Sequence, residues 1–358
     1  MSNGRPLDRR RGDCRSSGNA SSVGYPMSLR RAEAVLARFG FDRYMLLLIL
    51  TVVLASVLPA RGGAAVALSH LTYWVIALLF FLYGAKLTTA TIVAGLANWR
   101  LQLTVLALTF VLFPILALGL KPLSMIWLPT AIGVGFLYIG CMPSTVQSSI
   151  AFTAVSHGNV AGAVCAASIS NLIGVVLSPL LFAVLIPQGT GYGIESSAIW
   201  KILQQILLPF ALGQLCRPLL AGLLARHRTA TLVVDRGSIL LIVYSAFSAG
   251  VVNGIWQVIS AGSLAILVGL CAVLLAAVMG TALLAARSTG MGHADLMAVL
   301  YCGSTKSLAT GLPMAGILFA GQDISLVILP LMIFHLLQLG VCAIISQRMA
   351  GRADLRPA

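Results

Sequence analysis

The sequence predicts an all-α polytopic membrane protein of ten transmembrane helices, arranged as two inverted five-helix repeats with the fourth and ninth helices broken. Three observations carry this. Hydrophobic residues fill 59% of the 358 positions and charged residues 9%, against roughly 25% charged in a soluble domain. Apolar runs of roughly 20 residues, the length that crosses the hydrocarbon core, recur ten times. Two similar stretches, Cys141-Met-Pro-Ser-Thr-Val-Gln-Ser148 and Cys302-Gly-Ser-Thr-Lys-Ser307, interrupt the fourth and ninth runs at corresponding places.

Residues 1–41 form a basic segment expected to be disordered and cytoplasmic. It is too long and too charged for a signal peptide, and Met27 is an alternative start. The ten spans fall at about 42–60, 67–85, 99–119, 125–155, 159–187, 199–219, 237–256, 261–286, 294–320 and 323–347. They make one transmembrane domain over 42–347, with repeats at about 42–187 and 199–347 and a cytoplasmic tail at 348–358. Each repeat has three plain spans before its broken one. An odd number of spans per repeat inserts the second copy upside down relative to the first.

Charge tests that topology independently. With both termini cytoplasmic, nine N-terminal arginines and Lys86, Arg100, Arg217, Arg226, Arg228, Arg236, Arg287, Arg348, Arg352 and Arg356 face in, whereas Arg61, Lys121 and Lys201 face out. This is the positive-inside pattern. It accounts for the net charge of +14 without a nucleic-acid partner; the expected partner is the lipid bilayer. Arg outnumbers Lys 19 to 4, which suggests a GC-rich bacterial genome and therefore a bacterial inner membrane. The seven cysteines have no short-spaced pair, so neither a disulfide framework nor a zinc site is expected. No Walker motif or GxGxxG occurs, and no cofactor is implied.

The breaks hold the chemistry. Pro143 lacks an N–H and disfavours helix at Met142, so nearby carbonyls lose their partners and need protein, water or an ion instead. Ser144, Thr145, Gln147, Ser148 and Ser149 follow as a dense set of oxygens. In the second break Lys306 lies near the middle of an apolar run, where insertion of a lysine costs roughly 2.5–3.5 kcal/mol. Its ammonium can bind an anionic substrate, release a proton or hold the place of a transported cation. Ser168 and Asn171 share a face of the fifth span at i,i+3 spacing. Gln102 opens the third span, His335 and Gln338 share a face of the last, and Asp295 begins the ninth as an N-terminal helix charge.

The two breaks, Gly158-Asn159 before the fifth span, Ser178-Pro179 near its end, and Lys306-Ser-Leu-Ala-Thr-Gly-Leu-Pro313 resemble the bile acid:sodium symporter superfamily over about residues 41–348. The closer match is its SBF-like branch, which includes bacterial sodium-dependent transporters and a eukaryotic member tied to calcium regulation. Cys302-Gly-Ser-Thr-Lys-Ser-Leu-Ala-Thr-Gly311 is the most specific stretch. The resemblance implies a panel domain and a core domain, with helices four and nine crossing at their breaks. It also implies secondary active transport by alternating access, with sodium as coupling ion.

Carried over by position, the ion-holding set is Gln102, Ser144, Thr145, Gln147, Ser148, Ser168, Asn171, Ser304 and Thr305. A small organic anion is expected at Lys306, Ser307, Ser304, Thr305, Pro143, Ser144 and Thr145. This chain departs from sodium-coupled relatives by placing Tyr301 where they have a glutamate and Lys306 where they have an amide residue. A uniporter, a proton-coupled carrier and a one-sodium symporter therefore all stay open. A channel or a membrane regulator of calcium homeostasis is the alternative function. An intramembrane enzyme is disfavoured, because neither a nucleophile–base pair nor a metal cluster is visible.

Overall fold

The computed structural model describes residues 43–86, 98–186, 203–319 and 324–353. The basic segment 1–41, Met27, Lys201 and the last five residues lie outside the described residues. Everything described is helix, turn or irregular backbone, and seven helices are long and apolar enough to cross a membrane. The chain is a multi-pass membrane protein.

The elements are α1 (Arg43–Val57), α2 (Gly63–Lys86), α3 (Trp99–Ser124), α4 (Thr130–Cys141), α5 (Gln147–Val155) and α6 (Val160–Leu185). They continue as α7 (Gln204–Arg226), α8 (Arg228–Val252), α9 (Ala261–Ser288), α10 (His293–Ser304), α11 (Leu308–Leu318) and α12 (Ser325–Ala353). The apolar runs locate these helices, but several helices outlast their runs. α8 begins at Arg228 rather than near 237, because helical backbone bonds continue through Arg228–Arg236 whatever the side chains contribute to hydropathy. Both expected breaks are present: backbone at 142–146 separates α4 from α5, and 305–307 separates α10 from α11.

Helices α1, α2, α7 and α8 pack on one another. Polar bonds add to that packing, from Gln205 Nε2 to the Tyr73 carbonyl at 3.1 Å and from Tyr244 Oη to the Leu58 carbonyl at 2.6 Å. The closest approach is between α2 and α7. A Cβ placed on Gly213 would stand 2.0 Å from the Phe81 carbonyl oxygen, and one on Gly84 would stand 2.0 Å from that of Phe210. Only glycine lets the backbones touch there. Gly213→Leu is expected to destabilise the protein by about 1–3 kcal/mol, read as a lowered unfolding midpoint. Gly222→Ala on the same helix, where an added Cβ meets nothing within 4 Å, should be neutral.

The second group comprises α3–α6 and α9–α12. Its centre is α4, whose sequence is apolar on all sides and is buried from Ala131 to Cys141. The second half of α10 and most of α11 are buried with it. Tyr138 of α4 donates its hydroxyl to the Gly311 carbonyl of α11, so the two broken pairs are already joined on one side of the breaks.

Candidate functional site

Pro143 sets the first break. α4 ends at Cys141, with Met142 extended, and the Ser144 N–H turns away to Ser170 Oγ at 3.1 Å. Gly140, which would accept from Ser144 in a continuous helix, is left with a free carbonyl. In the second break Thr305 and Ser307 are extended. Ser307 caps α11 through Thr310 N–H at 3.2 Å, while its own N–H donates to the Pro143 carbonyl at 2.9 Å. The two breaks therefore meet backbone to backbone.

A third irregularity lies opposite them. α3 contains a π turn at Leu108–Leu112, where Phe113 N–H bonds to the Leu108 carbonyl. Pro114 follows without an N–H, so the Thr109 carbonyl has no helical donor left. The Gly140 and Thr109 carbonyls and that of Met142, which lies in the break itself, point at one atom. Lys306 Nζ donates to Met142 O at 2.6 Å, Thr109 O at 2.9 Å and Gly140 O at 3.2 Å, and lies 3.9 Å above the Phe113 ring. The residue has no exposed surface. An ammonium has three N–H donors, and here all three are used. Its backbone is held equally firmly: Lys306 N–H donates to Gln338 Oε1 at 2.7 Å, and Gln338 Nε2 donates to Lys306 O at 2.8 Å. His335 Nδ1 lies 2.8 Å from the same amide nitrogen.

On the other side of the crossing the oxygens form a hydroxyl ring. Thr145, Ser149 and Thr305 stand 2.7–2.9 Å apart, and Ser148 Oγ donates to Thr145 at 2.8 Å. Thr305 also donates to the Tyr301 carbonyl at 2.8 Å, and Ser144 Oγ donates to the Cys302 carbonyl at 2.6 Å. Asn171 ties in α6, donating to Ser144 O at 2.7 Å and accepting from Thr310 Oγ1 at 2.9 Å.

The expected residues do not all meet. Lys306, Ser307, Thr305, Pro143, Ser144, Thr145, Ser148 and Asn171 are brought together at the crossing. Ser304 bonds back to Leu300 of its own helix. Ser168, half-buried, makes none of the bonds that join the breaks; Ser170 occupies that role. Gln102 reaches only the Gly162 carbonyl of α6, at 3.5 Å. Gln147 points away, into a cavity of about 410 Å³ shared with Lys86, Arg217 and Asp235, where Lys86 and Asp235 form an ion pair at 3.1 Å. The residues that sequence spacing does not find are Thr109 and Phe113; their one signal is Pro114.

Asp295 has a structural task. Its carboxylate accepts from Asn98 Nδ2 at 3.1 Å and Asn159 Nδ2 at 2.7 Å. Those two asparagines cap α3 and α6 through Leu101 and Gly162 N–H, so one carboxylate gathers three helix starts. Asp295→Ala should cost about 1–2 kcal/mol, measured as a lowered unfolding midpoint.

Two broken membrane helices that meet at their breaks, with stranded carbonyls and one buried charge, define a secondary-transporter architecture. The chain belongs to the SBF-like CPA transporter family, whose sequence profile matches residues 42–351. It is a transporter, not an enzyme. Among similar proteins, "Putative symporter YfeH" of Escherichia coli is 47% identical over 86% of this chain and 92% of its own length. A Pseudomonas aeruginosa protein is 45% identical over 88% of this chain and 95% of its own. "Sodium/bile acid cotransporter 7" of Danio rerio is 28% identical over 84% and 91%.

Proposed function

We propose that this protein is a secondary active transporter of a small organic anion, working by alternating access across a bacterial inner membrane with both termini cytoplasmic. In this reading α4–α5 and α10–α11 each count as one interrupted span. With α1 and the seven long helices they give ten, as two inverted five-helix repeats. The single observation that carries the anion assignment is Lys306: a wholly buried ammonium whose cage is neutral. Its donors are spent, so it acts on a substrate through its field, which stays strong where water is scarce.

The cavity beside Gln147 is the approach to the crossing. About 410 Å³ suits a small molecule, and Arg217 adds a second positive charge at its wall, with Lys86 held by Asp235. The names of the cotransporter relatives join a bile acid to sodium, which makes taurocholate a fitting first probe beside short mono- and dicarboxylates.

A thermal-shift screen of the purified protein against these anions and their neutral amides tests the reading, with sodium present and absent. Saturable stabilisation by an anion, but not by its amide, supports it. Equal stabilisation by anion and amide would contradict it.

A further inference from the structure

We infer that Lys306 is a tethered cation: the crossing holds an ammonium, attached by its own side chain, in a cage that would otherwise recruit a free monovalent cation such as sodium. The cage is assembled from two separate backbone irregularities: the π turn before Pro114, which strands the Thr109 carbonyl, and the break at Pro143, which strands those of Gly140 and Met142. All three carbonyls converge on Nζ within hydrogen-bond distance. Rings of uncharged carbonyl dipoles are how proteins replace the hydration shell of a monovalent cation, and the Phe113 face 3.9 Å away supplies further cation attraction. A cage of this kind is poorly suited to being empty, since unsatisfied carbonyls are costly in a lipid setting.

The sodium implied by the relatives' names does not fit this cage while Lys306 fills it, because its three oxygens already accept from the lysine. Nor does the neighbouring hydroxyl ring supply a charged ligand: its hydroxyls bond to one another and to the Tyr301 and Cys302 carbonyls. Among the described residues no group of three or more His, Cys, Asp or Glu side chains stands ready to hold a metal. The positive charge that a coupling ion would bring to the crossing is a fixed part of the chain. The consequence for coupling rests on the carrier reading above: anion movement through this crossing does not require sodium at the caged position. The occupancy of the cage does not rest on that reading.

The test is a binding experiment on the full-length purified protein. Unfolding midpoints of the wild type, Lys306→Gln and Lys306→Ala are compared in sodium chloride and choline chloride at equal ionic strength. Both variants open the cage, and each should gain a sodium-specific rise in midpoint, saturating with sodium concentration, beyond any shift in the wild type. Using two variants guards against one that does not fold, and a variant that folds only in sodium counts as a gain. Sodium shifts in the folded variants no larger than in the wild type would overturn the inference. The result is independent of substrate: a protein that moves no tested anion can still show the gain, and a working carrier can fail to show it.

Discussion

In sodium-free buffer, Lys306→Met is expected to abolish anion uptake and to lower the unfolding midpoint sharply. Methionine keeps much of the length of the side chain but removes its three donors, leaving the Thr109, Gly140 and Met142 carbonyls buried without partners. Each such group costs about 1–3 kcal/mol, so a loss on the order of 3 kcal/mol or more is expected. The effect on uptake has two sources. The fixed positive field at the crossing disappears, and the α3 π turn is no longer tied to the first break. Lys121→Met, at the half-exposed end of α3, should change neither property. The comparison is read from uptake in proteoliposomes, using an anion that stabilises the wild type, alongside the unfolding midpoints.

Gln338→Leu should produce the second largest effect. Its amide accepts from the Lys306 N–H through Oε1 and is the nearest donor to the Lys306 carbonyl through Nε2. Leucine is similar in size, so the change removes two hydrogen bonds and little packing. The buried Lys306 N–H loses its acceptor and the Lys306 carbonyl keeps the longer contact to His335 Nδ1 at 3.3 Å, so a loss of up to about 3 kcal/mol is expected. Because this clamp fixes the direction in which Lys306 enters its cage, uptake should fall with it. Unfolding midpoint and uptake rate measured on one preparation check both.

The broken helices were readable because Pro143 and the Gly303–Lys306 stretch violate the rules of an apolar helix, and a lysine inside an apolar run cannot be overlooked. Which side chains would meet was harder to read. After a break the helical phase is reset, so distance from Pro143 does not say which oxygens face the partner. Thr145, in the break just before α5, meets Ser149 of α5 at 2.7 Å, whereas Gln147, at the start of that helix, lines the cavity instead. Ser168 lies most of a turn before Asn171 and falls short of the break that Ser170 reaches. The π turn in α3 was hidden altogether. An i→i+5 turn leaves no trace in apolar periodicity, and Pro114 alone reads as an ordinary kink. Thus the cage around Lys306 could not be inferred from its own neighbourhood, since one wall comes from Thr109, 197 positions earlier.

The ends of helices show the same division. Asp295 was legible as a charge at a helix start, but not as the shared acceptor of two asparagine caps, because those caps belong to α3 and α6.

Whether the crossing carries anions by alternating access is decided most directly by counterflow. Wild-type protein is reconstituted into sodium-free liposomes preloaded with an unlabelled anion, and labelled anion is added outside, with taurocholate and short carboxylates as probes. Saturable uptake of the label that is accelerated by the preloaded anion is the expected result. Flux that rises linearly with concentration and ignores the preloaded anion would contradict it.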